Sequence, residues 1–284
     1  MEAAIISTTQ MSEHYVSRQE GGRVYYTKMG QGEPLVLLSA GSGRHFRKIA
    51  DSFAPHFTCY IPDAVGHDRS DIPRRWIATR SWTMEDYVEA TLEELDLMGV
   101  KRSSFIADHT GSMVALTIAA DHPDRVDKLV LDGLGFWDLR RGLIIWEKFF
   151  APSHSDTTSY DVPVTPLLPP YEDMKRTNPS LSYEEWKIDD ELNRRDRRFA
   201  TEHMYANSHY DMEAKAPAVQ APTLLIYGER DILRRGEQRA NNAIRGSILK
   251  IVPDTPREGV PTGGVHKDKP AAFINIALEF LLKS

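Results

Sequence analysis

The sequence has little of several features that would assign it to a specialised class of protein. It contains one cysteine, Cys59, among 284 residues, so no disulfide can form within the chain. We expect Cys59 to be a buried thiol in a reducing compartment. No run of eighteen apolar residues occurs, and the first residues have neither the basic region nor the apolar length of a signal peptide. These absences predict a cytoplasmic protein that does not associate with membranes.

An excess of positive charge is also missing. The formal net charge is −6, which argues against nucleic acid as a partner. The one long basic cluster, Arg194 to Arg198, is interrupted by Asp196 and is typical of a solvated helix face. We therefore expect a small-molecule substrate as the partner. The sequence does not decide between a monomer and a homo-oligomer.

Short apolar runs alternate with helix-compatible segments over most of the chain. Residues 83–98 have helical periodicity, with Thr83 and Asp86 as a capping start, and a closing helix follows Pro270. The runs that predict strands are 14–17, 24–27, 35–39, 57–61, 103–107, 128–132, 222–227 and 248–252. This alternation predicts an α/β fold, with a mostly parallel eight-stranded sheet and helices on both of its faces.

The alternation stops at about residue 136. Residues 136–215 are rich in aromatic side chains and have a proline-rich middle from Pro163 to Pro170. Helical patterns occur at 139–150 and 183–204. We predict a helical cap over 136–215, inserted into a core domain formed by 1–135 and 216–284. The aromatic side chains favour an apolar or aromatic substrate, although they would equally serve to pack the cap itself.

A sharp strand-turn-helix elbow is predicted within Ala107 to Gly111. Small residues lie two positions before and two positions after His109, as such a turn requires around its apex residue. A register with Asp108 at the apex would place the larger Ile106 and Thr110 at the flanking positions. His109 is therefore the predicted apex, and Asp108 is kept as a second choice.

The elbow resembles that of the α/β-hydrolase superfamily, in which a small-x-nucleophile-x-small turn has serine, aspartate or cysteine at its centre. Here histidine stands at that position. The loop from Asp63 to Ser70 is also similar to a structural loop of the superfamily, with Asp68 in place of its second glycine. The resemblance implies a nucleophile, an acid and a histidine in that order along the chain.

The resemblance also implies which residues complete the site. Asp231, in the turn after strand 222–227, matches the acid of the superfamily, and Asp132 after the preceding strand is the fallback. His266, preceded by two glycines and followed by Pro270, matches the general base. The backbone N–H groups of Ala40, Gly41 and Thr110 are the expected donors of an oxyanion hole.

The predicted activity is hydrolysis of a small, apolar or aromatic ester, lactone or related acyl substrate, with His109 in place of serine and no cofactor. Neutral imidazole is a competent nucleophile, and an acyl-imidazole is labile to water. Three alternatives stay open. His109 could act as an acid or base in a lyase or a C–C bond-cleaving enzyme, or the protein could bind a small ligand without catalysis. A metal ion held by His109, His266 and a carboxylate is the third, which no local spacing supports.

Overall fold

Eight strands form a single sheet. The computed structural model describes residues 10–39, 41–72, 82–151, 169–177, 179, 181–188, 190–191, 202–255 and 264–283. The strands are β1 (Ser12–Ser17), β2 (Arg23–Gly30), β3 (Glu33–Leu38), β4 (Phe57–Pro62), β5 (Ser103–Asp108), β6 (Val126–Asp132), β7 (Thr223–Gly228) and β8 (Ile248–Val252). Their order across the sheet is β1-β2-β4-β3-β5-β6-β7-β8. β2 pairs antiparallel with β1 and β4, and the remaining pairs are parallel, which confirms the predicted sheet.

Helices connect the strands. They are α1 (Arg44–Arg47), α2 (Met84–Leu97), α3 (His109–Asp121), α4 (Leu139–Ile145), α5 (Tyr171–Thr177), α6 (Glu202–Ser208), α7 (Met212–Lys215), α8 (Glu237–Ala243), α9 (Val265–Asp268) and α10 (Pro270–Leu281). Short 3-10 turns occupy Ala50–Ser52, Pro123–Arg125, Ala216–Ala218 and Ile232–Gly236, and a π-helical turn, Trp146–Phe150, continues α4. In the part of the chain that the structure describes, no helix is long and apolar enough to cross a membrane.

The sheet is covered on both faces. Along β3, Val36 and Leu38 belong to a buried cluster that includes side chains of α2, α3 and α8, whereas Leu35 and Leu37 belong to a second cluster with α1 and α10. Alternate side chains of a strand point to opposite faces, so a strand between two helical layers is apolar throughout. Cys59 is buried in the second cluster, and burial raises the pKa of its thiol to about 12.

The predicted start of α2 is confirmed. The Thr83 side chain accepts a hydrogen bond from the Asp86 backbone N–H, at 3.3 Å, and the Asp86 carboxylate accepts one from the Thr83 N–H, at 2.9 Å. This capping box pairs two N–H groups that the helix itself cannot satisfy. The helix then buries its apolar stripe, including Tyr87 and Leu95, against the sheet.

The segment predicted to form the cap is helical where the structure describes it. Helix α4 and its π-helical continuation match the helix expected at 139–150. The helix expected at 183–204 is seen over 183–188, and residues 192–201 lie outside the described residues, as do 163–168 of the proline-rich middle. Helix α6 packs against α3, the helix that follows the elbow. The division of the chain at 136 and 215 stays a prediction.

Replacing Gly111 by alanine is expected to destabilise the fold by about 3 kcal/mol. In an ordinary helix interior this change would stabilise by up to about 1 kcal/mol. Here the added Cβ would overlap the backbone carbonyl of Leu38, so α3 could no longer lie this close to β3. Urea unfolding of the variant measures the change. A free energy of unfolding equal to or above that of the unmodified protein would contradict this close approach.

Candidate active site

The backbone is strained at the predicted apex of the elbow. His109 has a φ of +43°, which a residue with a side chain rarely adopts, whereas Asp108 before it has an ordinary extended φ of −118°. Asp108 ends β5 and His109 begins α3. The sharp turn therefore displays the His109 side chain at the carboxyl edge of the sheet, the edge where ligands bind in open α/β sheets.

His266 is held by Asp132 at the end of β6. The His266 Nδ1 lies 2.8 Å from Asp132 Oδ2, and both side chains are buried. The same carboxylate accepts hydrogen bonds from the backbone N–H groups of Val265, at 3.0 Å, and His266, at 2.9 Å. Gly264, with a φ of +78°, makes room, because a Cβ there would come within 2.9 Å of both groups. Asp132 thereby fixes the ring and directs its Nε2 away from the carboxylate.

The acid that holds His266 is Asp132, the fallback choice, whereas Asp231 occupies a different place in the site. Asp231 follows β7, and its Oδ1 accepts the backbone N–H of Leu233 at 2.8 Å as the cap of a 3-10 turn. Its Oδ2 is buried without a hydrogen-bond partner in the described part of the chain. Burial raises the pKa of the Asp231 carboxyl, and the charge of His109 is among the effects that lower it. Asp231 lies beside His109, and the fallback residue Asp132 holds the ring of His266.

Negative charge is concentrated around His266. Asp108 Oδ2 lies 3.8 Å from His266 Nε2, and Asp108 Oδ1 is buried with no hydrogen-bond partner among the described residues. Asp108 and Asp132 stand opposite each other on the neighbouring strands β5 and β6. Asp268, one helical turn after Gly264, is partly buried, and its burial and the charge of Asp132 raise its pKa. A cationic intermediate would be stabilised in this environment.

Two of the three predicted oxyanion donors can be located. Thr110 is buried in the first turn of α3, where N–H groups have no acceptor within the helix. Gly41 lies in the loop after β3, and its N–H is 3.4 Å from the Ser39 hydroxyl, at the limit of a hydrogen bond. Ala40 lies outside the described residues. The oxyanion role of these N–H groups stays a prediction.

A buried ion network supports the loop that follows Gly41. Arg47 donates to Asp63, at 2.8 Å, and to Asp68, at 3.2 Å, while the Ser42 hydroxyl donates to Asp68 at 2.6 Å. Burial raises the pKa of Asp63, and the charge of Arg47 opposes this shift. Asp68 has a φ of +44°, the conformation for which the resembling loops use glycine. A glycine at this position would have no side chain, whereas the Asp68 carboxylate accepts hydrogen bonds from Ser42 and Arg47 and so connects the two loops.

Asn207 is a site residue that the sequence did not indicate. It lies on α6 and is buried, and its side-chain Nδ2 donates to the Thr110 hydroxyl at 2.6 Å. Its Oδ1 has no hydrogen-bond partner among the described residues. No motif surrounds Asn207, since its contact with Thr110 depends on how α6 packs on α3. It connects the predicted cap to the residue after the apex.

The arrangement supports acid-base and nucleophilic chemistry. Two imidazoles and three carboxylates, those of Asp108, Asp132 and Asp231, meet at one edge of the sheet. No three histidine, cysteine or acidic side chains come together as metal ligands in the described ranges. The described residues therefore add no geometric support for the metal alternative.

Relatives of known name match about half of the chain. A 129-residue segment, 44% of this chain, is 28% identical to a cis-3-alkyl-4-alkyloxetan-2-one decarboxylase of Shewanella oneidensis and spans 40% of that protein. A 146-residue segment is 30% identical to a 2-hydroxy-6-oxononadienedioate/2-hydroxy-6-oxononatrienedioate hydrolase of Paraburkholderia phymatum, where it spans 49% of the relative. The matches thus span less than half the length of these relatives.

Solved structures match almost the whole chain in fold. A hydrolase from Pseudomonas aeruginosa superposes with a TM-score of 0.70 at 20% identity, over 96% of this chain and 99% of its own. The enol-lactonase from Burkholderia xenovorans superposes with a TM-score of 0.68 at 16% identity, over 95% of this chain and 100% of its own. At these identities the likeness concerns the fold alone. The model of the alpha/beta hydrolase fold family matches residues 33–234. The chain therefore belongs to the alpha/beta hydrolase fold family.

Proposed function

We propose that the protein hydrolyses a small ester or lactone by transferring its acyl group to His109 and then to water. The observation that carries this proposal is the placement of an imidazole at the strained apex of the elbow, with φ +43°. Strain of this kind persists only where the surrounding structure enforces it, and it concentrates at functional sites. A second imidazole, that of His266, is oriented by Asp132 at the same edge of the sheet.

The first half of the reaction forms an acyl-imidazole. An unprotonated ring nitrogen of His109 attacks the carbonyl carbon of the substrate, and the C–O bond to the leaving alcohol breaks. The imidazole of His109 loses one proton on acylation. His266 Nε2 can relay this proton to the alcohol, which then leaves. The backbone N–H of Thr110 is proposed to stabilise the oxyanion that forms during the attack. With a lactone, the leaving alcohol stays attached to the acyl chain.

The second half returns the enzyme to its starting state. Water attacks the acyl-imidazole, His266 Nε2 accepts a proton from this water, and the C–N bond to His109 breaks. The imidazole recovers a proton and the carboxylic acid leaves. Asp132 stabilises the positive charge on His266 during this step, since its carboxylate lies 2.8 Å from Nδ1.

The names of relatives and the apolar character of the predicted cap support the proposed substrate class. The oxetan-2-one in the name of one relative is a four-membered lactone carrying two alkyl groups. One structural neighbour is an enol-lactonase. Buried aromatic side chains such as Phe136, Trp137 and Trp146 begin the predicted cap. These observations support an apolar lactone or ester.

A second candidate function is cofactor-free cleavage of a C–C bond with His109 as acid or base. The observation that favours it is the relative named as a decarboxylase. In that reaction His109 never carries an acyl group. Detection of a covalent intermediate therefore separates the two functions.

The decisive experiment traps the intermediate in a His266→Gln variant. Without the base that activates water, deacylation should slow more than acylation. Mixing with p-nitrophenyl butyrate is therefore expected to give a stoichiometric butyryl adduct by intact-mass spectrometry, mapped to His109 by peptide analysis. The matched control is His122→Gln, a histidine at the exposed end of α3, which should turn over the ester and accumulate no adduct.

Two results would overturn the nucleophilic role of His109. One is an adduct that maps to Asp108, whose carboxylate lies next to His266. The other is a His266→Gln variant that neither accumulates an adduct nor turns over esters, together with an unmodified protein that releases carbon dioxide from a β-lactone. That second result would favour the C–C bond-cleaving function.

A further inference from the structure

Each of the two imidazoles of the site has a carboxylate near it, and among the described residues only one of these pairs is hydrogen-bonded. In the first pair, Asp132 holds His266 through a hydrogen bond of 2.8 Å. In the second, Asp231 lies beside His109 and makes no hydrogen bond to His266. The two acidic residues come from the ends of neighbouring strands, β6 and β7. Hydrolysis through His109 and His266 uses Asp132 and assigns no role to Asp231.

Gly133 brings the second pair together. A Cβ placed on Gly133 would lie 3.0 Å from His109 Nε2 and 3.0 Å from Asp231 Oδ2, so the two atoms are within about 6 Å of each other across this glycine. Gly133 has a φ of +66°, which favours glycine over any other residue. Because Gly133 has no side chain, no Cβ fills the space between the ring edge of His109 and the carboxylate of Asp231.

The burial of the two ring nitrogens of His109 differs. Nε2 is buried and has no hydrogen-bond partner among the described residues, and the same holds for Asp231 Oδ2. Leaving a buried donor and a buried acceptor unpaired is costly, typically about 1–3 kcal/mol each. Nδ1 also makes no hydrogen bond, yet it is not among the buried atoms, so it is the ring nitrogen accessible to solvent.

We propose that Asp231 is the positioning residue of His109, accepting a hydrogen bond from Nε2–H so that the lone pair of Nδ1 faces the substrate. This inference rests on the proposed function for the chemistry that it assigns to Nδ1. The pairing itself rests on the facing, unpartnered atoms and on the glycine between them. Because the two atoms are at most about 6 Å apart, a combined side-chain movement of no more than about 3 Å brings donor and acceptor to hydrogen-bond distance.

The pairing has a chemical consequence for both halves of the reaction. When Nδ1 attacks the carbonyl carbon, the ring becomes an acyl-imidazolium, which is positively charged until its Nε2 proton passes to the leaving alcohol. The carboxylate of Asp231 stabilises this positive charge, so attack at the carbonyl carbon is favoured. When water attacks, the proton that the imidazole recovers at Nε2 makes the ring a better leaving group. Asp231 thus serves His109 as Asp132 serves His266.

The tautomer of His109 tests the pairing without reference to activity. Two-bond 1H–15N spectra of protein labelled at histidine, recorded at a pH where the ring is neutral, distinguish a proton on Nε2 from one on Nδ1. We expect the Nε2–H form in the unmodified protein and a mixture of both forms in Asp231→Asn. Asparagine can still cap the 3-10 turn through its side-chain oxygen, so the turn should keep its structure.

A kinetic measurement accompanies the spectra. In Asp231→Asn, the rate of the acylation burst with p-nitrophenyl butyrate should fall at least tenfold, with KM little changed, because the substrate contacts stay in place. The matched control is Asp211→Asn, at another cap whose side chain accepts the backbone N–H of Ala214 at 2.9 Å. This control should alter neither the tautomer nor the burst.

The outcomes separate this inference from the proposed function. A proton on Nδ1 of His109 in the unmodified protein would overturn the pairing, even if every variant of Asp231 failed to fold. A tautomer and a burst rate that Asp231→Asn leaves unchanged would overturn it as well. If the Nε2–H tautomer depends on Asp231 but no acyl adduct forms on His109, the pairing stands and the proposed function fails.

Discussion

Replacing His109 by alanine is expected to lower kcat/KM for an activated ester by at least about 10³-fold, while the melting temperature stays near that of the unmodified protein. Removing a covalent nucleophile from a triad-type site costs several orders of magnitude in rate, because acyl transfer then depends on water alone. The His109 ring is only partly buried, so truncating it leaves a small loss of packing. Steady-state kinetics and thermal unfolding measure the two effects.

Glycine at the same position provides the sharper control. His109 holds a left-handed conformation, with φ +43°, which costs a side-chain-bearing residue about 1–2 kcal/mol. His109→Gly should therefore be as inactive as His109→Ala and about 1 kcal/mol more stable than it. Urea unfolding of the two variants tests this difference. Turnover within tenfold of the unmodified enzyme in either variant would contradict a nucleophilic role for His109.

The fold was predictable because its signals are local. Buried parallel strands are apolar on both faces, so β3, β5 and β7 are visible as short apolar runs without any knowledge of their neighbours. The small residues around His109 similarly determine where the elbow turns, and Gly111 is required by its close approach to Leu38. Such features depend on a few consecutive residues, which a sequence displays directly.

The pairing within the site was not predictable for the opposite reason. Asp132 ends β6 and Asp231 comes shortly after β7, and both are possible partners for His266. The choice depends on the loop at Gly264, whose φ of +78° brings the N–H groups of α9 onto the carboxylate of Asp132. That approach joins residues more than 130 positions apart, and no local pattern records it.

Some residues of the site have roles that only the structure reveals. Gly133 directly follows Asp132. Its role becomes visible only from its positive φ and from its position between His109 and Asp231. Asn207 is a second such residue, because a lone asparagine in a helix predicts no contact. Its hydrogen bond to Thr110 depends on how α6 packs on α3. Contacts between the predicted cap and the core are therefore the part of the site that only a structure supplies.

Replacing Asp132 by asparagine is expected to lower kcat by about 10⁴-fold and to destabilise the protein by about 2–3 kcal/mol. In a serine-protease triad the corresponding change costs about 10⁴ in kcat, because the histidine takes the wrong tautomer. Here the carboxylate also accepts two backbone N–H groups, those of Val265 and His266. An amide nitrogen facing these donors would leave buried groups unpaired, which accounts for the loss of stability.

Asp231→Asn is the matched comparison, because both residues follow strands of the same sheet and both change from acid to amide. Its stability should change by less than about 1 kcal/mol, since the side-chain oxygen of asparagine can keep the hydrogen bond that Oδ1 accepts from the Leu233 N–H. Pre-steady-state kinetics should place the defects in different steps. Asp132→Asn should mainly slow deacylation through His266, and Asp231→Asn should mainly slow acylation of His109. The opposite result, in which Asp231→Asn slows deacylation and Asp132→Asn does not, would contradict this assignment. Asp231 would then be the acid that serves His266 in catalysis, and the pairing of Asp132 with His266 would be structural only.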